Sequence, residues 1–375
     1  MTIGTREVRR GRTAPPFYGR TSDLPDSPFR IGACGTAREW LRFAIVAASS
    51  VHPASPRVPC DAALREAHQE VLDQIRTAVG RVIQGKPEAV ELLLVAVLAG
   101  GHVLVEDVPG VGKTTLAKAL ARVFQIGFSR VQFTPDLLPS DILGSLVLDP
   151  RLGSFTFQRG PIFTNVLLAD EINRASPRTQ SALLEAMSEA QVTVDGTTYP
   201  LASPFLVFAT QNPHEFSGTY PLPEAQLDRF LVRIGIGYPA EEAELSMLYS
   251  RQHDDPLQML TAIASGEDLA AIQQAVRSVE VKPAVGRYLL SISAATRQHH
   301  DVALGASPRG TLSLFRASQA RAYANGRGYV SPDDVQALCA PVLGHRLALT
   351  PEARYGGRGV EGVLSDVVRS VRVPL

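Results

Sequence analysis

The chain has 375 residues and a mass of 40.3 kDa, with 45% apolar and 20% charged residues. At roughly 100–200 residues per domain it can hold two or three domains. Its 37 Lys and Arg balance 37 Asp and Glu at a pI of about 7.1, which argues against a surface built as a whole to embrace nucleic acid or an anionic membrane. The three cysteines (Cys34, Cys60 and Cys339) form no C-x-x-C pair, and the longest uncharged apolar run, Leu92–Gly101, is about half of what spans a bilayer. No zinc site, disulfide framework or membrane span is expected. The first apolar stretch, Phe43–Ala48, is too short and too late for a signal peptide, so a reduced cytoplasm fits the chain.

Residues 1–60 carry Arg, Pro, Ser and Gly clusters with little periodicity. Such a segment buries too little surface to offset its ordering entropy and is expected to be a mostly disordered tail. From Asp61, taken as an N-cap, helical spacing runs to Ile83, and Lys86–Gly100 predicts a second, nearly all-apolar helix. HVLVE (102–106) then predicts a strand, followed by a glycine-rich turn and the helix LAKALARVF. VQF, NVLLAD (165–170), PFLVFAT (204–210) and LVRIGIG (231–237) are further strand-length apolar runs with helices between them. Continuous apolar strands alternating with helices indicate an α/β fold with a parallel sheet covered on both faces.

Leu146–Phe163 and Gln191–Leu201 alternate around the turn signals Leu152-Gly153 and Asp195-Gly196, so both are expected to be β-hairpins inserted in the core. After Tyr238-Pro239 only helical patterns follow. The expected organisation is a tail over 1–60, an α/β core over 61–238 and a smaller helical domain over 239–375.

The segment EDVPGVGKTT follows a strand and opens a helix, the context a phosphate-binding loop requires. Gly110 and Gly112 allow the backbone to curl its N–H groups toward a phosphate. Lys113 can reach the β/γ-phosphates, and the Thr114 hydroxyl can ligate Mg²⁺. Asp107 stands where the generic loop has glycine, which puts nucleotide affinity in question. The strand VLLAD ends in Asp170-Glu171, carboxylates suited to hold Mg²⁺, mostly through water, and to polarise an attacking water. Thr210-Gln211-Asn212-Pro213 ends another strand, and the Asn212 amide can accept from that water while donating to phosphate. Arg229 precedes the last core strand, where it can serve a neighbouring subunit's nucleotide or pair with Asp228. Arg309, at the helix start ASPRG, could reach back to the phosphates and couple the helical domain to nucleotide state. A guanine-reading N/T-K-x-D motif has no suitable lysine, so ATP is expected rather than GTP.

The order VPGVGKTT, LLADEINRA, ATQNP, LPEAQLDRF, ASPRG, with QFTPDLLPSD ahead of the first hairpin, resembles the MoxR-type AAA+ ATPases over roughly residues 65–350. The resemblance implies a P-loop NTPase core with the two hairpins of the helix-2-insert clade and a helical lid. It implies ATP and Mg²⁺ as ligands, with Pro109, Gly110, Val111, Gly112, Lys113, Thr114 and Thr115 as the nucleotide loop, and Val82 and Ile83 (with Gln84) against the adenine. Thr114 and Asp170 would hold the metal, and Glu171, Asn212, Arg229 and Arg309 would act as Walker B glutamate, sensor 1, trans-acting finger and sensor 2. Family members act as chaperones that mature or remodel partner proteins, often with a von Willebrand factor A domain partner. A hexameric ring is expected on this reading. Two other readings stay open, an ATP-dependent DNA motor or loader and a nucleotide-sensing scaffold.

Overall fold

The computed structural model describes residues 62–150, 153–212, 218–250, 252 and 255–374. The expected tail, the Asp61 cap, Leu152 of the first turn and Pro213 lie outside the described residues. Helices α1 (Ala62–Val82) and α2 (Pro87–Leu98) lead into strand β1 (His102–Glu106), helix α3 (Lys113–Val123) and strand β2 (Phe128–Gln132). A short helix, α4 (Pro139–Leu143), precedes hairpin β3 (Gly144–Asp149) and β4 (Ser154–Arg159). Next come β5 (Val166–Asp170), α5 (Pro177–Glu189) and a second hairpin, β6 (Gln191–Val194) and β7 (Thr197–Pro200). Strand β8 (Leu206–Gln211), the one-turn α6 (Glu224–Leu227) and β9 (Phe230–Ile234) complete the sheet. The remainder is α7 (Glu241–Ser250), α8 (Gly266–Arg277), α9 (Pro283–Gln298), β10 (Val302–Leu304), α10 (Pro308–Ala324), α11 (Pro332–Leu343), β11 (Ala348–Leu349), α12 (Pro351–Tyr355) and α13 (Val360–Ser370). The sequence reading had no counterpart for α4, α12, α13 or the β10–β11 ribbon, which are too short or too close to the end of the periodic pattern to stand out.

The five core strands pair in parallel in the order β2-β5-β8-β1-β9. Alternate residues enter opposite layers, as the two-residue strand period requires. Val103, Val105, Val166, Leu168, Leu206 and Phe208 face α1–α3 and the C-terminal helices. Leu104, Leu167, Ala169, Val207 and Ala209 face α5 and the base of the hairpins. Burial on both faces is why these strands read as unbroken apolar runs. Most of the helices after β9 share the core of the sheet, since Leu314, Leu338 and Leu364 belong to the same cluster as Leu72 and Leu93, while Leu349, Ala353 and Val363 form a small cluster apart. No helix among the described residues is long and apolar enough to cross a membrane.

The second hairpin turns at Asp195 (φ 47°) and Gly196 (φ 77°), the two successive left-handed residues a tight hairpin turn calls for. Phe157 of β4 stacks on Tyr199 of β7 with ring centroids 4.1 Å apart and planes at 19°. The two insertions therefore form one aromatic-linked unit. Val147, Leu148 and Phe155 stand exposed on the first hairpin.

His102 at the start of β1 is fully enclosed. Its Nε2 lies 3.0 Å from the Met187 carbonyl, to which it donates, and its Nδ1 accepts from the Val207 N–H at 3.1 Å, an arrangement that requires the neutral ring. Burial pushes its pKa from 6.5 down to about 4. Between those values the unfolded chain binds a proton that the folded chain refuses, so this stability is complete above about pH 6.5 and is lost as pH falls toward 4. The span corresponds to about 3 kcal/mol. His345, also buried and held well below its ordinary value by burial and by Arg346, adds the same sign. The melting temperature is expected to fall between pH 7 and pH 5, with a shallower slope in His102→Gln, measured by calorimetry at fixed ionic strength.

Candidate active site

The carboxyl ends of β1, β5 and β8 bring the predicted motifs to one edge of the sheet. At β1 the chain turns through Gly110 (φ 87°) and Gly112 (φ 96°), left-handed conformations that glycine adopts without a Cβ penalty, and α3 starts at Lys113. A Cβ on Gly110 would meet nothing within 4 Å, so the glycine answers to backbone conformation and not to crowding. The Lys113 ammonium donates to the Asp107 carbonyl at 2.7 Å. Burial lowers its pKa, while the charges of Asp107, Asp170 and Glu171 oppose the shift. Asp170 and Glu171 thus sit within electrostatic reach of the loop lysine, although more than fifty residues separate them from it in sequence.

Asp170 is 9% exposed. Its Oδ1 accepts from the Thr210 hydroxyl at 2.6 Å, and its Oδ2 accepts from Arg130 Nε at 3.1 Å and a terminal guanidinium nitrogen at 2.6 Å. Thr210 Oγ1 in turn accepts from the Glu171 N–H at 2.8 Å. One buried hydroxyl therefore fixes both acidic residues, and it holds Glu171 in a left-handed conformation (φ 58°) that costs a non-glycine residue about 1–3 kcal/mol. The Glu171 carboxylate accepts from Gln132 Nε2 at 2.7 Å and lies 3.2 Å from Arg174 Nε. Arg130, Gln132 and Thr210 were missed as site residues in the sequence. Only the β2–β5 register, which places Gln132 opposite Asp170, gives the first two away. Asn212 follows β8, between the acidic strand and the phosphate loop, as its motif requires. A carboxylate offers about four lone-pair sites, of which Thr210 and Arg130 take three, so Asp170 can still meet a cation through water. With the Thr114 hydroxyl this is a hard-oxygen donor set, the chemistry magnesium takes.

Beside the loop lies a cavity of about 300 Å³. Val82, Ile83, Pro109, Gly110, Val111, Gly112 and Thr115 line it, and so do residues the sequence reading did not place there: Ile236, Gly237 and Tyr238 after β9, and Met247 of α7. The mixture of an apolar wall and backbone donors suits a nucleoside joined to phosphates. A larger cavity of about 830 Å³ between α2, β9 and α11 does not. It carries Glu88, Glu91, Glu106 and Glu361 against Arg233 and Arg321, and contains none of the loop residues. A triphosphate would meet like charge there.

Arg229 and Arg309 are at the other edge. Arg229 immediately precedes β9, so it lies at the amino end of a parallel strand whose five residues span roughly 16 Å. The Ser307 hydroxyl, which caps α10, donates to Asp228 Oδ2 at 2.8 Å, bringing Arg309 to the same place. Burial lowers the Arg229 pKa and the nearby Arg309 charge lowers it further, against Glu185 and Glu189 of α5. Arg309 thus lies with Arg229 at the amino end of β9, not beside the phosphate loop of its own chain. The helical segment is anchored at the base of β9, across the sheet from the loop. Nor does Asp228 pair with Arg229: its carboxylate is taken by Arg346 Nε at 2.8 Å and by Ser307.

A parallel sheet in this strand order, with a phosphate loop, a paired acidic strand end and a polar strand tip between them, defines an ATPase of the AAA+ class. The profile of the ATPase family associated with various cellular activities (AAA) matches residues 102–232, and that of the AAA lid domain matches residues 294–364. The chain is 42% identical to Chaperone MoxR1 of Mycobacterium tuberculosis, over 87% of this chain and 88% of that protein. It is 48% identical to the protein YeaC of Bacillus subtilis, over 79% and 93% respectively, and 29% identical to Protein MoxR of Methylorubrum extorquens, over 84% and 96%. A crystal structure from Cytophaga hutchinsonii, of a protein assigned as an ATPase, superposes with a TM-score of 0.77 at 37% identity, covering 83% of this chain and 97% of that one. The chain belongs to the MoxR family of AAA+ ATPases.

Proposed function

We propose that this ATPase works as a ring, with each nucleotide bound by the phosphate loop of one subunit and completed by Arg229 and Arg309 of the next. The observation that carries the reading is the proximity of these two arginines at the amino end of β9, the sheet edge opposite the loop. Adenine fits the cavity walled by Val82, Ile83 and Tyr238. Lys113 and the N–H groups of the loop bind the β- and γ-phosphates, Asn212 orients the attacking water, and Glu171 takes its proton. Thr114 and Asp170 are the residues that would hold magnesium, which would supply charge neutralisation on the phosphates.

On this reading the core over 61–238 and the lid over 239–375 move as the γ-phosphate is lost, and the linked hairpins pass the change to a client protein. Exposed Val147, Leu148 and Phe155 are the apolar side chains the first hairpin offers to such a client, a von Willebrand factor A domain protein in the family pattern. The ATPase rate per subunit is expected to rise with protein concentration and saturate as rings assemble, followed by coupled assay alongside light scattering. A rate independent of concentration would refute the shared site. Stimulation by duplex or single-stranded DNA would favour a DNA motor instead.

A further inference from the structure

Asp107 occupies the first position of the phosphate loop, where glycine is general, and it does not have a left-handed backbone that would call for one. Its carboxylate is buried and aimed away from the phosphates. Oδ1 accepts from the Val108 N–H at 2.8 Å, while Oδ2 accepts from the N–H groups of Ile236 at 2.6 Å and Gly237 at 2.5 Å. Those two residues belong to the link between the sheet and α7. With Tyr238, whose carbonyl accepts from Lys86 Nζ at 2.7 Å, they form one wall of the cavity beside the loop. The Asp107 carbonyl meanwhile accepts from Lys113. Among the described contacts, this residue joins the phosphate-binding lysine to the base-binding wall through its own backbone and side chain.

We propose that Asp107 is a positioning residue that builds the nucleoside wall in advance of binding. A carboxylate accepting several backbone N–H groups in a buried setting makes short, charge-assisted bonds. Here they fix the start of the link at Ile236 and Gly237, so the wall does not have to be ordered when the ligand arrives, which lowers the entropic cost of binding. The proposal rests on the reading of this cavity as the ATP site. It also explains why the departure from glycine at 107 is tolerated: the side chain occupies the side of the loop that faces the link and leaves the phosphate side clear.

The test separates the nucleoside from the phosphates. Asp107→Ala and Asp107→Asn are compared with the unaltered chain for binding of ATP and of inorganic tripolyphosphate, each with magnesium, by calorimetry, after melting curves have shown which variants are folded. Asp107→Ala is expected to weaken ATP about tenfold and tripolyphosphate less than about twofold. Asp107→Asn, whose amide oxygen still accepts from the link, should fall between the two and serves if the alanine variant does not fold. In turnover, KM for ATP should rise by a larger factor than kcat falls. Equal losses for both ligands would place the role of Asp107 in the loop itself and overturn the proposal. Unchanged ATP binding in both variants would overturn it too, while leaving the ATP site intact. Failure of the unaltered chain to bind ATP would overturn the reading beneath it.

Discussion

Arg229→Ala is expected to lower the ATPase rate per subunit by about 10³-fold or more, the range an arginine delivered to a transferring phosphoryl group contributes. The fold is expected to survive the change. Asp228 keeps Arg346 and Ser307 as partners, so no buried carboxylate is left unpaired. Burial and the positive Arg309 both disfavour the charge of the half-buried Arg229, against Glu185 and Glu189, so its removal is expected to cost the fold little. A large loss of rate with little change in melting temperature is therefore the expected pair of results. Mixing gives the sharper check. Lys113→Ala subunits lack phosphate binding but carry an intact Arg229, whereas Arg229→Ala subunits have the reverse defect. Mixed rings would contain some complete sites, and part of the rate should return. If mixing restores nothing and Arg229→Ala alone retains the unaltered rate, the arginine is structural and the ring mechanism fails.

Most of the sheet was legible because its chemistry is local. Strands buried on both faces advertise themselves as apolar runs, and Gly110-Val111-Gly112-Lys113 states a phosphate loop in consecutive residues. The hairpin turn at Asp195-Gly196 was equally plain. The residues that escaped are those whose role depends on a neighbour far away in sequence. Arg130 and Gln132 read as ordinary members of an edge strand until the β2–β5 register sets them against Asp170 and Glu171. Thr210 stood inside a recognised motif, but its hydroxyl does its work backwards, toward the acidic strand, not forwards to the phosphate. The placement of Arg309 was not legible, because a helix-start motif says nothing about where its helix is anchored. The Ser307–Asp228 hydrogen bond settles that, and it joins residues 79 positions apart. Ile236 and Gly237 carry no side-chain chemistry, so nothing in the sequence could have revealed that Asp107 holds their amides.

Glu171→Gln is expected to lower kcat by about 10²- to 10⁴-fold, the range for removing a positioned general base, while ATP still binds. The distinction follows from the geometry. Glu171 takes no part in the cavity proposed for adenine or in the Lys113–Asp107 contact, and its backbone N–H is held by Thr210 whichever side chain it carries. Glutamine keeps the size and one accepting oxygen for Gln132, but it cannot take a proton from water. Lys113→Ala should behave oppositely, losing affinity along with rate, if its ammonium is the cation the loop offers to phosphate, as proposed. Binding of ATP measured by calorimetry beside single-turnover hydrolysis separates the two. The Glu171→Gln protein also discriminates between a machine and a sensor. If client maturation needs hydrolysis, a chain that binds ATP and does not turn it over will hold its client without releasing a matured product. If binding alone suffices, the same variant will mature its client in full, and the energy of the γ-phosphate bond will have no part in what this ATPase does to its partners.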